Sequence, residues 1–145
     1  MTAPRLRLTS PIPCEFDIHE ACAQALDYLL LPPCQWACYP AGHIQLTPAQ
    51  VARLARAGLK RAYPDILIFW QKVWGIELKR RGEQLSKTRI GRTRRGSPRL
   101  LVGQEDMFPR LFATGAFGAP IATCHSVDEV LTQLRRWNIP LRPTV

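Results

Sequence analysis

Two carboxylates and a lysine lie at the ends of two neighbouring apolar runs. Asp65 precedes the run ILIFW, and Glu77 and Lys79 close the run VWGIELK. Because burying an unpaired carboxylate is costly, acids in such runs need a counter-charge or a metal ion. Asp65 and Glu77 can share one divalent cation, since Mg²⁺ takes oxygen ligands that commonly include one or two carboxylates. Such an ion polarises a phosphodiester and helps to generate hydroxide from bound water.

Lys79 follows Glu77 by two residues, a spacing that in a strand puts both side chains on the same face. An ammonium group beside a metal site can hold the attacking water or stabilise the negative charge that develops in the transition state. A purely structural interpretation stands beside this one. In it, Asp65 caps a turn after Pro64, and Glu77 and Lys79 form a surface pair.

The register of the two runs tests the metal interpretation. If the runs pair as an antiparallel hairpin, Asp65 lies opposite Glu77 only when the loop has an odd number of residues, for example Trp70–Lys72. A two-residue loop would pair Trp70 with Val73 and put the two carboxylates on opposite faces. A shared metal therefore predicts the odd loop or a bulge.

The elements that must position these residues follow from apolar periodicity and from residues that start or end helices. Apolar residues near helical spacing predict a first helix over 15–31, which Pro32 and Pro33 end. Further helices are predicted, from their caps and periods, over 47–60, 104–114 and 127–137. Strands are predicted near 35–43, in the two apolar runs and within 119–126.

This order of elements suits a small mixed β-sheet flanked by α-helices, which defines an α/β domain. The length of 145 residues fits a single domain with a sizeable core. We therefore expect one domain over 14–145, preceded by an irregular, Pro-rich tail over 1–13. The segment 87–103 is rich in Arg and Gly and has no clear period, so it is predicted to be a loop or a long flexible hairpin.

The net charge of +9 is concentrated in one part of the chain. Between Lys79 and Arg99 there are nine basic residues and one acid, Glu83. Such a run indicates a polyanion partner, with a solvated loop that only aids solubility as the alternative. The candidate nucleic-acid-binding residues are Arg80, Arg81, Lys87, Arg89, Arg92, Arg94, Arg95 and Arg99.

The compartment is predicted from apolar stretches and cysteines. No apolar stretch reaches the roughly 18 residues needed to cross a bilayer, and the N-terminal arginines have no apolar signal region behind them. We therefore expect a cytoplasmic protein. Its five cysteines, an odd number, are expected to be reduced and mostly buried. A minor alternative is a zinc site built from Cys34, Cys38 and His43, with His125 or Cys124.

Four motifs occur in a fixed order over residues 14–140. CEFDIHEACAQAL has a glutamate at the start of a helical run, and GLKRAYPDILIF leads into a strand through Pro-Asp. GIELKRRGEQLS carries Glu-x-Lys before a basic turn and Leu-Ser, and CHSVDEVLTQLRRWNIP supplies a closing strand and helix. In combination these motifs resemble the VRR-NUC family, the virus-type replication-repair nucleases of the PD-(D/E)XK superfamily.

This resemblance implies a Mg²⁺- or Mn²⁺-dependent DNA endonuclease with a restriction-endonuclease-like α/β core, acting on branched or structured DNA. Asp65 and Glu77 match the metal-binding acids of the family, and Lys79 matches its catalytic lysine. Glu15 matches the helix glutamate that completes the acidic cluster, directly or through water. Gln104 matches the glutamine that opens the helix after the active strand.

The sequence departs from the family's pattern at two places. The basic segment 87–103 separates Ser86 from Gln104 and resembles an insertion, and Ala62 stands where a glycine is common. Ser86 and Gln104 are candidates for active-site support. His19 is another candidate, because it lies one helical turn after the helix glutamate on the same face, with a place on the helix surface as the alternative.

Two other classes of function fit the same residues. A non-catalytic module would keep the fold and the basic segment and bind nucleic acid without cutting it. A partner-binding protein of phage or mobile-element origin would use the basic segment to dock an acidic protein. Metal-dependent cleavage discriminates the enzyme from both. For an enzyme that cuts two strands, we expect a C2 homodimer.

Overall fold

The computed structural model describes residues 13–39 and 46–144 of the chain. The helices in this part are α1 (Glu15–Leu29), α2 (Pro48–Arg56), α3 (Gln104–Ala113) and α4 (Val127–Arg136). The strands are β1 (Gln35–Cys38), β2 (Ile66–Trp70), β3 (Lys72–Leu78), β4 (Arg89–Arg92), β5 (Pro98–Leu101) and β6 (Ala122–Cys124). The tail predicted over 1–13 lies, apart from Pro13, outside the described residues.

Four of the strands form one mixed sheet in the order β1-β2-β3-β6. β1, β2 and β3 pair antiparallel, and β6 pairs parallel to β3. A parallel partner needs a crossover connection, and the chain between β3 and β6 contains α3. α1 packs against β3 and α4, and α4 packs against β6. The prediction of an α/β domain with a small mixed sheet and flanking helices is confirmed.

The core lies between one face of the sheet and the helices α1 and α4. Strand alternation places four fully buried side chains on this face: Ile66, Ile68, Ile76 and Leu78. They pack with apolar residues of both helices, among them Leu26 and Leu134. Burying each such side chain stabilises the fold by about 1.5–3 kcal/mol. The alternate positions, which include Asp65 and Glu77, therefore face away from this core.

Local signals set the starts of α2 and α4 as the sequence predicts, whereas α1 and α2 end at Leu29 and Arg56, before the predicted bounds of 31 and 60. α2 begins after Thr47, whose Oγ1 accepts a hydrogen bond from the backbone N–H of Gln50 at 3.3 Å. α4 begins after Ser126, whose Oγ accepts a hydrogen bond from the backbone N–H of Glu129 at 3.2 Å. α1 ends at Leu29, shortly before the two prolines. These ends fix where the chain leaves each helix for the sheet.

β2 and β3 form a hairpin with a tight turn at Gln71, which has a positive φ of 57°. Ile66, the first residue of β2, pairs with Ile76. One step further in the same register, Asp65 lies opposite Glu77. The two-residue loop that would separate the carboxylates does not form, so the odd-loop prediction is confirmed.

The basic segment 87–103 folds into a second antiparallel hairpin, β4–β5. Of the two structures predicted for this segment, the hairpin is right and the loop is wrong. Its strands pair from Arg89 and Leu101 at the base to Arg92 and Pro98 near the turn. The order of elements thus contains two strands more than the sequence pattern indicates.

Ala62 adopts the left-handed conformation ahead of β2, with a φ of 62°. Holding a residue with a Cβ in this region costs about 1–2 kcal/mol, which is why glycine is favoured there. The turn before Asp65 therefore forms with alanine in a position that suits glycine better.

Candidate active site

Asp65 and Glu77 form the centre of the candidate site, where β2 begins and β3 ends. Asp65 is 8% exposed and Glu77 is 1% exposed. Oδ2 of Asp65 accepts a hydrogen bond from the backbone N–H of Leu78 at 2.7 Å, which ties this carboxylate to β3. The two carboxyl groups also interact directly. Two acids are therefore buried against each other.

Lys79 follows β3 directly and places a positive charge on this pair. Its Nζ is 2.7 Å from Oε1 of Glu77, and the two side chains are 14% and 1% exposed, so the alternative of a surface pair is wrong. Its backbone N–H donates to the Cys124 carbonyl at 3.0 Å. Its carbonyl hydrogen-bonds with Nδ1 of His125 at 2.9 Å. The ammonium group thus reaches Glu77 from a backbone that β6 holds in place.

Gln104, the first residue of α3, contacts the same carboxylate. Its Nε2 donates a hydrogen bond to Oε1 of Glu77, the oxygen that Lys79 also contacts. Its own Oε1 accepts a hydrogen bond from the backbone N–H of Ser86 at 3.1 Å, and its backbone N–H donates to Oγ of Ser86 at 3.0 Å. These bonds fix which end of the amide faces Glu77. The insertion separates Ser86 from Gln104 in sequence but not in space.

The β4–β5 hairpin joins α3 at a tight crossing of two chain segments. Gly103 lies so close to the backbone of 86–87 that a Cβ at this position would overlap it. The N–H of Gly103 donates to Oγ1 of Thr88 at 3.0 Å, and the Thr88 hydroxyl donates to Asp106. The crossing therefore holds both ends of the hairpin beside Gln104.

The surroundings raise the pKa of both acids. Burial is the main cause of the raised pKa of Glu77, and the negative charge of Asp65 adds to it. Lys79 and Gln104 lower this pKa, but the net result is still a rise to about 7. Burial also raises the pKa of Asp65, against the hydrogen bond from the Leu78 N–H, which lowers it. Both carboxylates therefore favour a further positive charge close by.

The pKa of Lys79 is raised as well. Burial, the largest single influence, would lower it, but the hydrogen bond and charge of Glu77 and the charges of Glu15 and Asp65 together outweigh burial. The ammonium form of Lys79 is therefore stabilised by the acids around it, and it stays a hydrogen-bond donor at neutral pH.

α1 brings Glu15 towards this cluster. The negative charge of Glu15 raises the pKa of Asp65 and that of Lys79, so Glu15 lies within electrostatic reach of both. His19 follows one helical turn later and is only 9% exposed. The alternative of a histidine on the helix surface is therefore wrong.

The donor atoms fit a hard divalent cation. Oε2 of Glu77 is buried and receives no hydrogen bond from the part of the chain that the structure describes. Within residues 13–39 and 46–144, no three His, Cys, Asp or Glu side chains are grouped to hold a metal by themselves. Mg²⁺ is commonly bound by one or two carboxylates, with water and phosphate oxygens as the other ligands. Asp65 and Glu77 supply that minimum.

The zinc alternative finds no support in the described residues, which contain no metal-ligating group of three such side chains. Cys34 and Cys124 are buried, whereas Cys38 is exposed on β1. His43 lies outside the described residues. All five cysteines are free thiols and three are buried, as the sequence predicts.

The predicted nucleic-acid contacts lie in two places. Arg80 and Arg81 follow Lys79; Arg80 is half-buried, and Arg81 is exposed with its guanidinium 3.8 Å from the carboxylate of Glu129. The remaining basic residues are all exposed on the β4–β5 hairpin or at its base: Lys87, Arg89, Arg92, Arg94, Arg95 and Arg99. Most of the excess positive charge is therefore carried by an element anchored beside Gln104.

The contact between His125 and the Lys79 backbone is not predicted from the sequence, which suggested His125 only as a zinc ligand. It arises because β3 and β6 pair parallel with Leu78 opposite Cys124, so the residues that follow the two strands meet. Neither strand alone encodes this parallel register, and the only local signal is that both segments end in polar residues.

No helix in the described part of the chain is long and apolar enough to cross a membrane. Comparison with protein-family models, with curated proteins and with solved structures yields no significant match.

Proposed function

We propose that this protein is a metal-dependent DNA endonuclease that hydrolyses phosphodiester bonds in branched or structured DNA. The observation that carries the proposal is the buried pair Asp65 and Glu77, with Lys79 and Gln104 meeting on one oxygen of Glu77. One acid would suffice for a structural pair with Lys79. The second acid adds repulsion, which a divalent cation between the carboxylates would offset.

The roles follow from the positions of the side chains. Asp65 and Glu77 would hold Mg²⁺ or Mn²⁺, with Glu15 completing the acidic cluster directly or through water. When bound, the cation supplies Lewis-acid polarisation of the phosphodiester and a more acidic water. Lys79 donates hydrogen bonds to the attacking water or to the phosphate oxygen on which charge develops. Gln104 keeps the Glu77 carboxylate in one orientation.

The order of elements supports membership of the VRR-NUC family and a restriction-endonuclease-like core. α1, β1 to β3, α3, β6 and α4 build the mixed sheet, and the two acids lie on paired strands within it. Ser86 and Gln104 meet across the base of the β4–β5 hairpin, which agrees with an insertion into an otherwise continuous segment.

DNA and a second copy of the chain are the partners that the proposal includes. Exposed arginines on β4–β5 supply phosphate contacts, each of which releases counterions from the duplex. A C2 homodimer would offer one site to each strand. A cytoplasmic location is also part of the proposal.

Cleavage of a panel of labelled DNAs tests this function. Linear duplex, nicked duplex, flap and junction substrates are incubated with Mg²⁺, Mn²⁺ or EDTA. We expect cleavage with either metal, none with EDTA, and faster cleavage of the branched substrates. Asp65→Asn should abolish cleavage but keep DNA binding, because loss of an acid lessens repulsion of phosphate. Glu83→Gln, at an exposed turn, is the matched control and should cut like the wild type.

Two outcomes would contradict the proposal. Binding without cleavage under every metal condition would support the non-catalytic nucleic-acid-binding module instead. Cleavage by Asp65→Asn at the wild-type rate would remove Asp65 from the catalytic site.

A further inference from the structure

The outer face of the β4–β5 hairpin carries an exposed apolar pair. Ile90 and Leu100 lie directly opposite each other across the ladder, and they are 75% and 62% exposed. Single exposed apolar residues are common on protein surfaces. Two such residues side by side on a projecting hairpin form a continuous apolar ridge, which we call the Ile90–Leu100 ridge.

Positive charge surrounds this ridge. No Asp or Glu occurs between Gln84 and Gln104, whereas the hairpin between them carries five arginines. Arg92 lies two residues after Ile90 on β4, so both side chains are on the same face. Pro98, which lies opposite Arg92, extends the apolar edge. A ridge of this composition is complementary to a polyanion that has an apolar interior, and duplex DNA with its stacked bases is such a partner.

The base of the hairpin that carries the ridge is anchored beside the candidate active site. At the other face of the hairpin, the Leu101 side chain packs over Gly91. At its base, Gly103 crosses close to the backbone of 86–87, and the next residue, Gln104, contacts Glu77. DNA held by the hairpin would therefore lie near the carboxylates. A lipid surface would gain nothing from this connection, which is why DNA is the favoured partner.

We infer that the Ile90–Leu100 ridge is a wedge that enters the base stack of DNA where stacking is already interrupted, as at a flap, nick or junction. This inference rests on the proposed nuclease function, and it names the feature of the substrate that the ridge recognises. Two-stranded ribbons fit into DNA grooves, and apolar Ile and Leu side chains can separate base steps. Opening an intact stack costs free energy, whereas a branch point has lost that stacking beforehand, so the wedge discriminates in favour of branches.

Binding without cleavage tests the wedge separately from catalysis. The full chain carrying Asp65→Asn is mixed, in EDTA, with a flap DNA or with an intact duplex of the same sequence. A fluorescent adenine analogue beside the branch reports unstacking. Ile90→Ser with Leu100→Ser removes the ridge and keeps every charge. Val51→Ser with Leu54→Ser, on the exposed face of α2, removes a similar apolar pair elsewhere.

We expect the Asp65→Asn protein to bind the flap about tenfold more tightly than the duplex, the scale on which single stacking contacts act. The ridge variant should lose this preference and the fluorescence rise, with unchanged affinity for the duplex. The α2 variant should retain both. Replacing Ile90 and Leu100 by methionine should restore the preference, because an apolar wedge of similar size is rebuilt.

Four results would overturn the wedge. An equal loss of affinity for both DNAs would make the ridge a general contact, and an unchanged preference would leave it without a role in binding. A change of oligomeric state in the ridge variant would make the ridge a contact between copies of the chain. Ridge-dependent binding to vesicles of anionic phospholipid, without discrimination among DNAs, would assign it to a lipid surface. A wild-type protein that shows the preference but never cleaves would instead contradict the proposed nuclease alone.

Discussion

Ser86 and Gln104 hydrogen-bond to each other twice, each through its backbone N–H to the side chain of the other. They flank the basic segment 87–103, which leaves between them as the β4–β5 hairpin. From this fixed position Gln104 donates to Glu77. The most basic element of the protein and a buried carboxylate are thus joined through one glutamine, which has consequences that mutations can test.

The chain crossing at Gly103 should matter for catalysis. Gly103→Ala is expected to lower the cleavage rate about 10–100-fold, the usual loss for groups that orient a metal ligand. The added Cβ would displace Gln104 from Glu77, so Gln104→Ala should show a loss of the same size. Separate measurement of kcat and KM checks this, and kcat should carry the effect.

Gly96→Asn is the matched control for this substitution. Gly96 has a positive φ of 80° and open space around it, and Asn tolerates that conformation. It should cut at the wild-type rate. A normal kcat in a folded Gly103→Ala protein would show that the crossing does not govern the position of Gln104.

The placement of the two acids could be predicted because it depends on local rules. Asp65 and Glu77 lie on the same face because side chains alternate along a strand and because the turn between β2 and β3 has an odd number of residues. The starts of α2 and α4 likewise follow from Thr47 and Ser126, each of which accepts a hydrogen bond from a backbone N–H in the first turn of its helix.

The contacts between distant segments could not be predicted in the same way. β4 and β5 lack the burial pattern that identifies strands, because Ile90 and Leu100 are exposed and alternate with arginines. Gln104 meets Glu77 only because Gly103 allows two segments to cross, and no local period encodes such a crossing. The crossing at Gly103, together with the two hydrogen bonds between Ser86 and Gln104, therefore brings together residues that the hairpin separates in sequence.

Stability without metal should fall as the pH rises. The folded protein raises the pKa of Glu77 from 4.5 to about 7. The stabilisation that protonated Glu77 contributes is therefore fully present below the pKa of the unfolded state, and it is lost as the pH rises through the pKa of the folded state. In EDTA, the free energy of unfolding should drop by about 2–3 kcal/mol across that interval. Asp65→Asn removes the charge that helps to raise this pKa, so the free energy of unfolding of this variant should depend less on pH than that of the wild type.

Urea unfolding at a series of pH values in EDTA checks this expectation. At about pH 8, Asp65→Asn should be more stable than the wild type by about 1–2 kcal/mol, because one buried like charge is gone. Mg²⁺ should stabilise the wild type more than the variant, since a ligand stabilises the state that binds it. Identical pH profiles of the two proteins would contradict the repulsion between Asp65 and Glu77.

Lys79 should act in the chemical step rather than in metal binding. Lys79→Ala is expected to lower kcat by about 10²–10³, the loss found when one donor to a developing oxyanion is removed. Lys79→Arg keeps the charge but changes the donor geometry, so it should recover only part of the rate. Mn²⁺ titration of each variant provides the check, and a lost metal site would make Lys79 structural.

Salt dependence measures how the hairpin engages DNA. Replacing 89–101 by a short Gly-Ser linker removes five arginines and keeps the base at Thr88 and Gly103. Each phosphate contact adds about 0.9 to the slope of log affinity against log salt, so five contacts would give about 4.5. Because exposed arginines seldom all reach phosphate at once, we expect the slope to fall by about 2–4.

Cleavage by the linker variant at low salt and saturating duplex should persist, because Asp65, Glu77 and Lys79 lie outside the replaced segment and Gln104 keeps its bonds to Ser86. Arg135→Gln with Arg136→Gln, in the exposed last turn of α4, removes positive charge far along the chain from the hairpin and should leave the slope unchanged. Parallel salt lines for the wild type and the linker variant would show that the hairpin does not touch DNA. Its charge would then serve either an acidic protein partner or only the solubility of the chain.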